Sequence, residues 1–277
     1  MKVLLTGSEG RIGRAIRAKL DAAGIAVDGV DRIGAQPRDV LALSERDFDG
    51  IDAVIHSAAL HAPHVGALPD EAFWRDNVAA TKHLVETAAR AGVRRFVYTS
   101  TTALYGAGAS AERIGRAVWI DDGTKPFPQT IYHRTKIAAE DVLRDAGERL
   151  SLSVTSLRMS RCFPEPLPEM IIHRLHRGID ERDVASAHVL AVARIEPGFR
   201  VYNISAQTPF SREDTEALFV DAPTVIGARA PIVAAAFQRR GWPLPTRIDR
   251  VYDASLAMRE LDWQPRHDAA AMCSETD

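Results

Sequence analysis

The sequence predicts an α/β fold, a doubly wound and mostly parallel sheet followed by a smaller C-terminal lobe. Three observations carry that expectation. Short apolar runs alternate with segments of helical period through the first 160 residues. A loop with glycines three apart, "TGSEGRIG", stands directly behind the first apolar run, and after Ser160 the texture turns proline-rich and irregular. Strands separated by helices imply right-handed βαβ units and therefore parallel pairing.

"KVLLTG" reads as a strand buried on both faces. The helix from about Arg11 places Ile12, Ala15, Ile16 and Leu20 on one side, with Gly24 as its stop. "IAVDGVD" is the second strand and "DAVIHSAA" the third. A helix follows with Val78, Leu84, Val85 and Ala88 on one face, and Gly92 ends it. "RRFVYTST" is a further strand, and a helix from about Tyr132 to Leu143 leads into the strand "SVTSLRMS". Beyond it "RCFPEPLPEM" is expected to be irregular, before a short helix and the late strand "YNIS". "DAPTVIGARAPIVAAAFQRRGWPLPTR" mixes short helical pieces with Pro and Gly stops, and the closing "AAAMCSETD" reads as frayed. The domain reading is residues 1–160 as one domain and 161–277 as a mixed region, which holds the late strand and a small lobe fed by returning segments.

Apolar residues make up 46% and charged residues 26%, enough for a soluble globular protein with a large core. A net charge of −2 with interspersed signs offers no field for nucleic acid or a membrane surface. No apolar stretch approaches the ~20 residues that span a bilayer. The two cysteines, Cys162 and Cys273, suit free thiols, and the N-terminus enters a strand without a leader pattern, so the expected compartment is the cytoplasm.

In a dinucleotide reading each glycine of the loop has a job. Gly7 permits the tight turn, Gly10 lets the backbone approach a pyrophosphate, and Gly13 allows helix and strand to pack closely. Glu9, Arg11 and Ile12 lie between them, at a helix N-terminus whose free N–H groups favour phosphate. The second strand ends in Asp31, eighteen positions beyond Gly13, where an acid accepts hydrogen bonds from an adenosine ribose. That placement favours NAD over NADP, with Arg32 next door softening the preference. Asp39, followed by Val40, reads equally as an adenine contact or a solvated loop acid. This places the first domain among Rossmann-type sheets.

"YHRTK" supplies Tyr132 and Lys136, four apart on a helix and so on one face. A phenol with a pKa near 10 is a poor base at neutral pH; an ammonium one turn away favours its phenolate. Tyr132 can then take a proton from a substrate hydroxyl while hydride leaves the same carbon.

The Gly-x-x-Gly-x-x-Gly loop, Asp31 and the Tyr132/Lys136 pair resemble the extended short-chain dehydrogenase/reductase superfamily, in its NAD-dependent epimerase/dehydratase branch. That family carries Ser-Ser-Ala-x-Val-Tyr-Gly at the sheet edge, with the catalytic hydroxyl five residues before the glycine. Counting back from Gly106 through "YTSTTALYG" gives Thr101, a threonine where the family has serine; Ser100 and Thr102 are the other hydroxyls within reach. The resemblance further implies that the small C-terminal lobe is a substrate-binding lobe, and that Thr99, Arg158 and the run His56, Ser57, Ala58 and Ala59 pass along the cofactor. It also puts Asn77 of "DNVAATKHLVETA" at a helix start, as a plain cap or as a residue ordering the site. "GIDERDVASAHVLAV" and "DASLAMRELDWQPRH" match late family segments, so the likeness covers most of the chain.

Only twenty-three residues separate Arg158 from Arg182, which is short beside nucleotide-sugar enzymes and closer to uronate dehydrogenases. Arg158, Arg174, Arg177 and Arg182 are available as a carboxylate or phosphate clamp, or are ordinary structural charges. His61 and Thr102 are placed at the substrate, with His64 as an alternative to His61. His56, His61 and His64, or His173 and His176, complete no metal pattern, and none is expected. Three functions follow from the resemblance: an NAD-dependent dehydrogenase acting on a carbohydrate C–OH, a UDP- or TDP-sugar 4-epimerase that retains NAD, or a non-catalytic NAD-sensing regulator. Dehydratase chemistry is disfavoured because "TTALY" lacks an Asp-Glu pair. A homodimer built on the helices after Asn77 and around Tyr132 is also implied.

Overall fold

Val3, Leu4 and Leu5 are completely shielded from solvent, as are Ala53, Val54 and Ile55. An apolar run closed off on both faces belongs inside a parallel sheet. In the computed structural model, which describes residues 1–106 and 111–274, these runs are neighbouring strands. The chain begins β1 (Lys2–Thr6), α1 (Arg11–Ala22), β2 (Ala26–Val30), β3 (Ala53–His56), α2 (Asp70–Phe73), α3 (Ala80–Arg90) and β4 (Arg95–Thr101). It continues through α4 (Ala111–Ile114), β5 (Val118–Ile120), α5 (Ile131–Arg149), β6 (Ser153–Met159), α6 (Leu167–His176), α7 (Glu181–Val192) and β7 (Gly198–Ile204). It closes with α8 (Thr215–Val220), α9 (Ala222–Arg229), α10 (Pro231–Arg240), β8 (Arg250–Tyr252), α11 (Ser255–Glu260) and α12 (Ala269–Ser274).

Two compact units divide the chain. The first takes Met1–Gly106, Pro126–Arg158 and Val184–Tyr202. Its six-stranded sheet runs β2-β1-β3-β4-β6-β7, with Val3 opposite Val27 on one side and Ala53 on the other, in parallel register. Because β2 lies to one side of β1 and β3 to the other, the loops leaving β1 and β3 part in opposite directions. Their carboxyl ends frame the switch-point crevice where such sheets bind ligands. Leu4, Val54, Phe96 and Tyr98 from the sheet pack with Leu84 of α3 and Leu143 of α5 in one buried cluster. The β2–β3 connection has no α-helix. Two 3-10 turns, Val40–Ala42 and Glu45–Phe48, replace it, the first capped by Asp39 and the second by a Ser44/Asp47 capping box.

The second unit is the described part of 107–125, 159–183 and 203–277. A two-stranded parallel sheet, β5 with β8, stands beside a cluster that includes Ile171, Phe210, Leu218, Ile226 and Phe237. Gly241, at φ +64°, closes α10 in the left-handed conformation.

Three expectations need correction. A single boundary after residue 160 does not describe the units, because 107–125 leaves the first early and 184–202 returns to it. One short helix was expected before the late strand, whereas α6 and α7 both stand there. α6 begins at Leu167 inside the proline-rich stretch, since prolines at a helix start cost nothing. The terminal "AAAMCS" is helical rather than frayed: Asp268 accepts the Ala271 N–H at 2.8 Å, and Met272 and Cys273 are buried. The remaining "ETD" lies outside the described residues.

Candidate active site

The three glycines of the first loop are required for different reasons. Gly7 sits at φ +68°, and a Cβ on it would meet the backbone nitrogen of Ala58 at 2.7 Å, so β1 and β3 approach here as closely as backbone can. A Cβ on Gly13 would fall 2.0 Å from the Gly7 carbonyl oxygen. Gly10 is different. It adopts φ −70°, its nearest obstacle is the Gly7 oxygen at 3.3 Å, and it caps α1 without any side-chain hydrogen bond. Glycine at 10 is therefore under a weaker steric demand than at 7 or 13, and the α1 N-terminus is left without a side-chain cap. Glu9, Arg11 and Ile12 surround that N-terminus and are half-buried, and Arg14 reaches back to the Glu9 carbonyl.

Asp31, at the end of β2, accepts the backbone N–H of Glu9 at 3.0 Å and of Ile33 at 3.2 Å, tying the second strand to the glycine loop. Asp39 neither floats in solvent nor points away. It accepts Leu41 N–H at 2.9 Å and Arg32 Nε at 2.9 Å, while Val40 turns into the core. Arg32 also forks onto Asp76, with Nη1 and Nη2 at 2.7 and 2.9 Å. Burial works to raise the Asp76 carboxyl, but Arg32 and Arg75 hold it well below the usual carboxylate range.

Asp76 and Asn77 occupy a π-helical turn, Trp74–Ala79, that joins α2 to α3 without a break. Asn77 is therefore inside a helix, not at its start, and the plain-cap reading falls. Its amide accepts Leu60 N–H at 2.8 Å, donates to Leu60 carbonyl oxygen at 2.9 Å and to Thr135 at 3.1 Å. It fixes the β3 loop, with Ser57, Ala58 and Ala59, against α5. His56 does not run along that loop. Burial lowers its pKa to about 3, Thr6 and Thr81 occupy its two nitrogens at 2.6 and 3.0 Å, and Thr6 in turn accepts Ala58 N–H.

Thr101, Tyr132 and Lys136 meet at the carboxyl end of β4. The Thr101 hydroxyl accepts Ala103 N–H at 3.1 Å, capping the turn Thr102–Tyr105, and it acts to lower the Tyr132 phenol. Lys136 Nζ donates to the Thr99 carbonyl oxygen at 2.7 Å and lies 4.1 Å from the centre of the Tyr98 ring. The Thr99 hydroxyl is itself engaged, donating to His188 Nε2 at 2.8 Å. Electrostatics differ from the sequence expectation. Burial pushes the Tyr132 phenol up to about 12, opposed by Thr101, and brings Lys136 down to about 7, opposed by Glu140.

One turn beyond Lys136, Glu140 forms a buried pair with Arg158, whose Nε and Nη2 reach it at 3.0 and 2.6 Å. Arg158 Nη1 donates to the Tyr105 hydroxyl at 2.9 Å, and Ser156 donates to Glu140 at 2.9 Å. Arg158 thus fixes Tyr105, at the far end of the turn that Thr101 begins, rather than presenting a free guanidinium. Beyond Tyr105, Gly106 at φ +54° packs so tightly that a Cβ would fall 2.2 Å from the Phe127 carbonyl oxygen.

Thr102 is buried, and His61 is exposed with its N–H on His64 Nδ1 at 3.1 Å. In the second unit Arg174 donates to Asp180 at 2.7 Å and to the His267 carbonyl at 3.1 Å, while Arg182 shares Asp180. Arg177 contacts His173 at 3.2 Å and Asp249 at 3.9 Å. Asp76, Thr81, Thr135, Glu140 and His188 were not singled out from sequence. Glu140 alone carried a signal, four positions after Lys136 on the same helical face.

The family model of the NAD dependent epimerase/dehydratase family matches residues 3–179, which include the glycine loop, Thr101, Tyr132 and Lys136. A UDP-glucose 4-epimerase of Azospirillum brasilense is 30% identical over 173 residues, 57% of this chain and 48% of that protein. A uronate dehydrogenase of Pseudomonas putida is 25% identical over 177 residues, 60% of this chain and 62% of that one. The chain therefore spans less than two thirds of the length of these curated relatives. The solved structure of MoeE5 in complex with UDP-glucuronic acid and NAD aligns with a TM-score of 0.71 at 24% identity, over 100% of this chain and 99% of the other; that likeness speaks for the fold. With the family model covering well over half of the sequence, this chain belongs to the NAD-dependent epimerase/dehydratase family.

Proposed function

We propose that this protein binds NAD and transfers hydride between it and a carbohydrate C–OH, with Tyr132 as general acid–base and Thr101 and Lys136 assisting. The observation that carries the reading is Lys136, one helical turn from Tyr132, anchored on the Thr99 carbonyl oxygen at 2.7 Å, at the end of the strand that bears Thr101, the group that lowers the Tyr132 phenol. The glycine loop suits a dinucleotide because it opens a helix whose N-terminus has no side-chain cap, leaving its N–H groups for a phosphate. Asp31, at the end of the second strand, is proposed to accept hydrogen bonds from the adenosine ribose. NAD, when bound, supplies the two-electron acceptor.

The chain's residues handle the proton. Thr101 orients the substrate oxygen beside Tyr132. With its phenol near 12, Tyr132 holds a proton in the free protein, the form that donates to a carbonyl during reduction. Oxidation runs the same transfer backwards, the substrate hydroxyl giving its proton to the tyrosine oxygen.

A second reading, retained NAD with 4-epimerisation of a nucleotide sugar, is favoured by the likeness to the Azospirillum UDP-glucose 4-epimerase. One experiment separates them. Purified protein, NAD and two panels, free uronic acids and aldoses against UDP- and TDP-sugars, are followed at the NADH absorbance with product stereochemistry. Net NADH supports dehydrogenation and names the panel; a changed sugar without NADH supports epimerisation. Tyr132→Phe is expected to abolish turnover while NAD binding persists, and full activity in that variant sinks the assigned acid–base.

A further inference from the structure

An arginine at the end of the second strand is the group that accommodates a 2′-phosphate on the adenosine ribose. Arg32 occupies that place, directly after Asp31, yet its guanidinium is already engaged on all three nitrogens. Nη1 and Nη2 fork onto the two oxygens of Asp76 at 2.7 and 2.9 Å, and Nε donates to Asp39 at 2.9 Å. Neither holder is free to follow a moving arginine. Asp39 is pinned by Leu41 N–H, and Asp76 is 8% exposed on a π-helical turn whose next residue, Asn77, is locked to Leu60 and Thr135. Arg75 adds its own fork to Asp76 at 2.7 and 3.1 Å. Two carboxylates and two guanidiniums thus cancel locally, and Asp31 remains beside the loop with its negative charge.

We propose that Asp76 is a specificity-determining residue. By holding Arg32, with Asp39 as the second point of the clamp, it denies a 2′-phosphate its cation and makes the chain select NAD over NADP beyond what Asp31 achieves alone. The proposal deepens the NAD-binding reading above and rests on it. Freeing Arg32 requires breaking three charge-assisted bonds, and a π-turn, rare in helices and frequent at functional positions, is what aims Asp76 at them. Asp76 touches no cofactor in this account; it acts through Arg32.

The test is the ratio of NADP to NAD affinity, measured by titration calorimetry on the full chain without substrate. Four proteins suffice: wild type, Asp31→Ser, Asp31→Ser/Asp76→Asn, and the last with Arg32→Ala added. Asp31→Ser removes the repulsion but leaves Arg32 clamped, so its gain in NADP affinity is small. Adding Asp76→Asn leaves Arg32 one neutral acceptor and frees it for the phosphate, which should raise the ratio by about tenfold or more, the yield of a hydrogen bond between charged groups. Arg32→Ala must then erase that gain. Thermal melts monitor folding, and if the Asp76 variant does not fold, Asp39→Asn in the Asp31→Ser background loosens the exposed half of the clamp and must move the ratio the same way. Wild type that binds neither nucleotide overturns the NAD reading and this proposal with it. Wild type that prefers NAD, with no further NADP gain from Asp76→Asn or a gain that survives Arg32→Ala, overturns the clamp and leaves the NAD reading standing.

Discussion

Lys136 invites a quantitative test of what burial does to an amine. The side chain is 2% exposed, donates to the Thr99 carbonyl and lies over the Tyr98 ring. Burial lowers its pKa from 10.5 to about 7, with Glu140 opposing. The span of about 3.5 pH units is at most roughly 5 kcal/mol of penalty on the charged form. Unfolded, the amine is protonated below 10.5; folded, only below about 7. Between those values the unfolded chain binds the extra proton, so the fold loses about 1.4 kcal/mol for each pH unit the solution falls. The penalty is complete below 7 and vanishes above 10.5. Lys136→Met keeps the length and removes the titration. Urea denaturation of both proteins at about pH 7, 8 and 9.5 should show the variant gaining on wild type by about 3 kcal/mol from the highest pH to the lowest. Loss of the donor to Thr99 subtracts a constant of about 1 kcal/mol, so the slope is diagnostic and the intercept is not. A gap that stays flat, or that narrows as pH falls, refutes a desolvated amine at this position.

Two further perturbations read the scaffold around it. Gly13→Ala drives a Cβ to 2.0 Å from the Gly7 oxygen and should abolish NAD binding by calorimetry, whereas Gly10→Ala, with its nearest atom at 3.3 Å, should fold normally and weaken binding only. Equal effects of the two on folding would show that the loop is not packed as described. Glu140→Ala strands the Arg158 charge in the interior and should cost about 3–5 kcal/mol, a fall in Tm of roughly 10 °C by calorimetry; an unchanged Tm would mean that the pair is not buried.

The strands and the parallel character of the sheet were legible because they are written in local pattern. Val3-Leu4-Leu5, Ala53-Val54-Ile55 and the glycine spacing each announce themselves within a few residues. The shared face of Tyr132 and Lys136 followed from helical spacing, and Thr101 was picked out by the family resemblance. What stayed hidden are the partners that act across the fold. Nothing near Asn77 in sequence says that its amide will face Leu60 and Thr135, and nothing near Arg158 names Glu140 and Tyr105. Such pairs are set by which strand ends lie side by side, which is information of topology. The π-turn is the clearest case: the repeat at Val78, Leu84, Val85 and Ala88 marks a helix, but one widened turn re-aims Asp76 and Asn77 and leaves no trace in hydrophobic period.

The free protein poses a problem that Thr101 is placed to address. In model peptides tyrosine and lysine titrate within about half a unit of each other; here burial separates them, to about 12 for Tyr132 and about 7 for Lys136. The proton therefore rests on the phenol, and anything that eases its release matters for oxidation. The Thr101 hydroxyl is the group that lowers Tyr132 against burial, and the same oxygen caps the following turn through Ala103 N–H. Thr101→Val keeps the shape and removes that hydrogen bond. Its pH–rate profile for oxidation should move to higher pH with a fall in kcat, while NAD affinity holds; Thr101→Ser, which retains the oxygen, should keep the wild-type profile. The cap complicates the valine variant, because a loosened turn lowers kcat by itself, but a loosened turn does not move the profile along the pH axis. If the valine variant keeps both its rate and its profile, the hydroxyl that serves Tyr132 is not that of Thr101, and Ser100 and Thr102 on either side become the groups to replace.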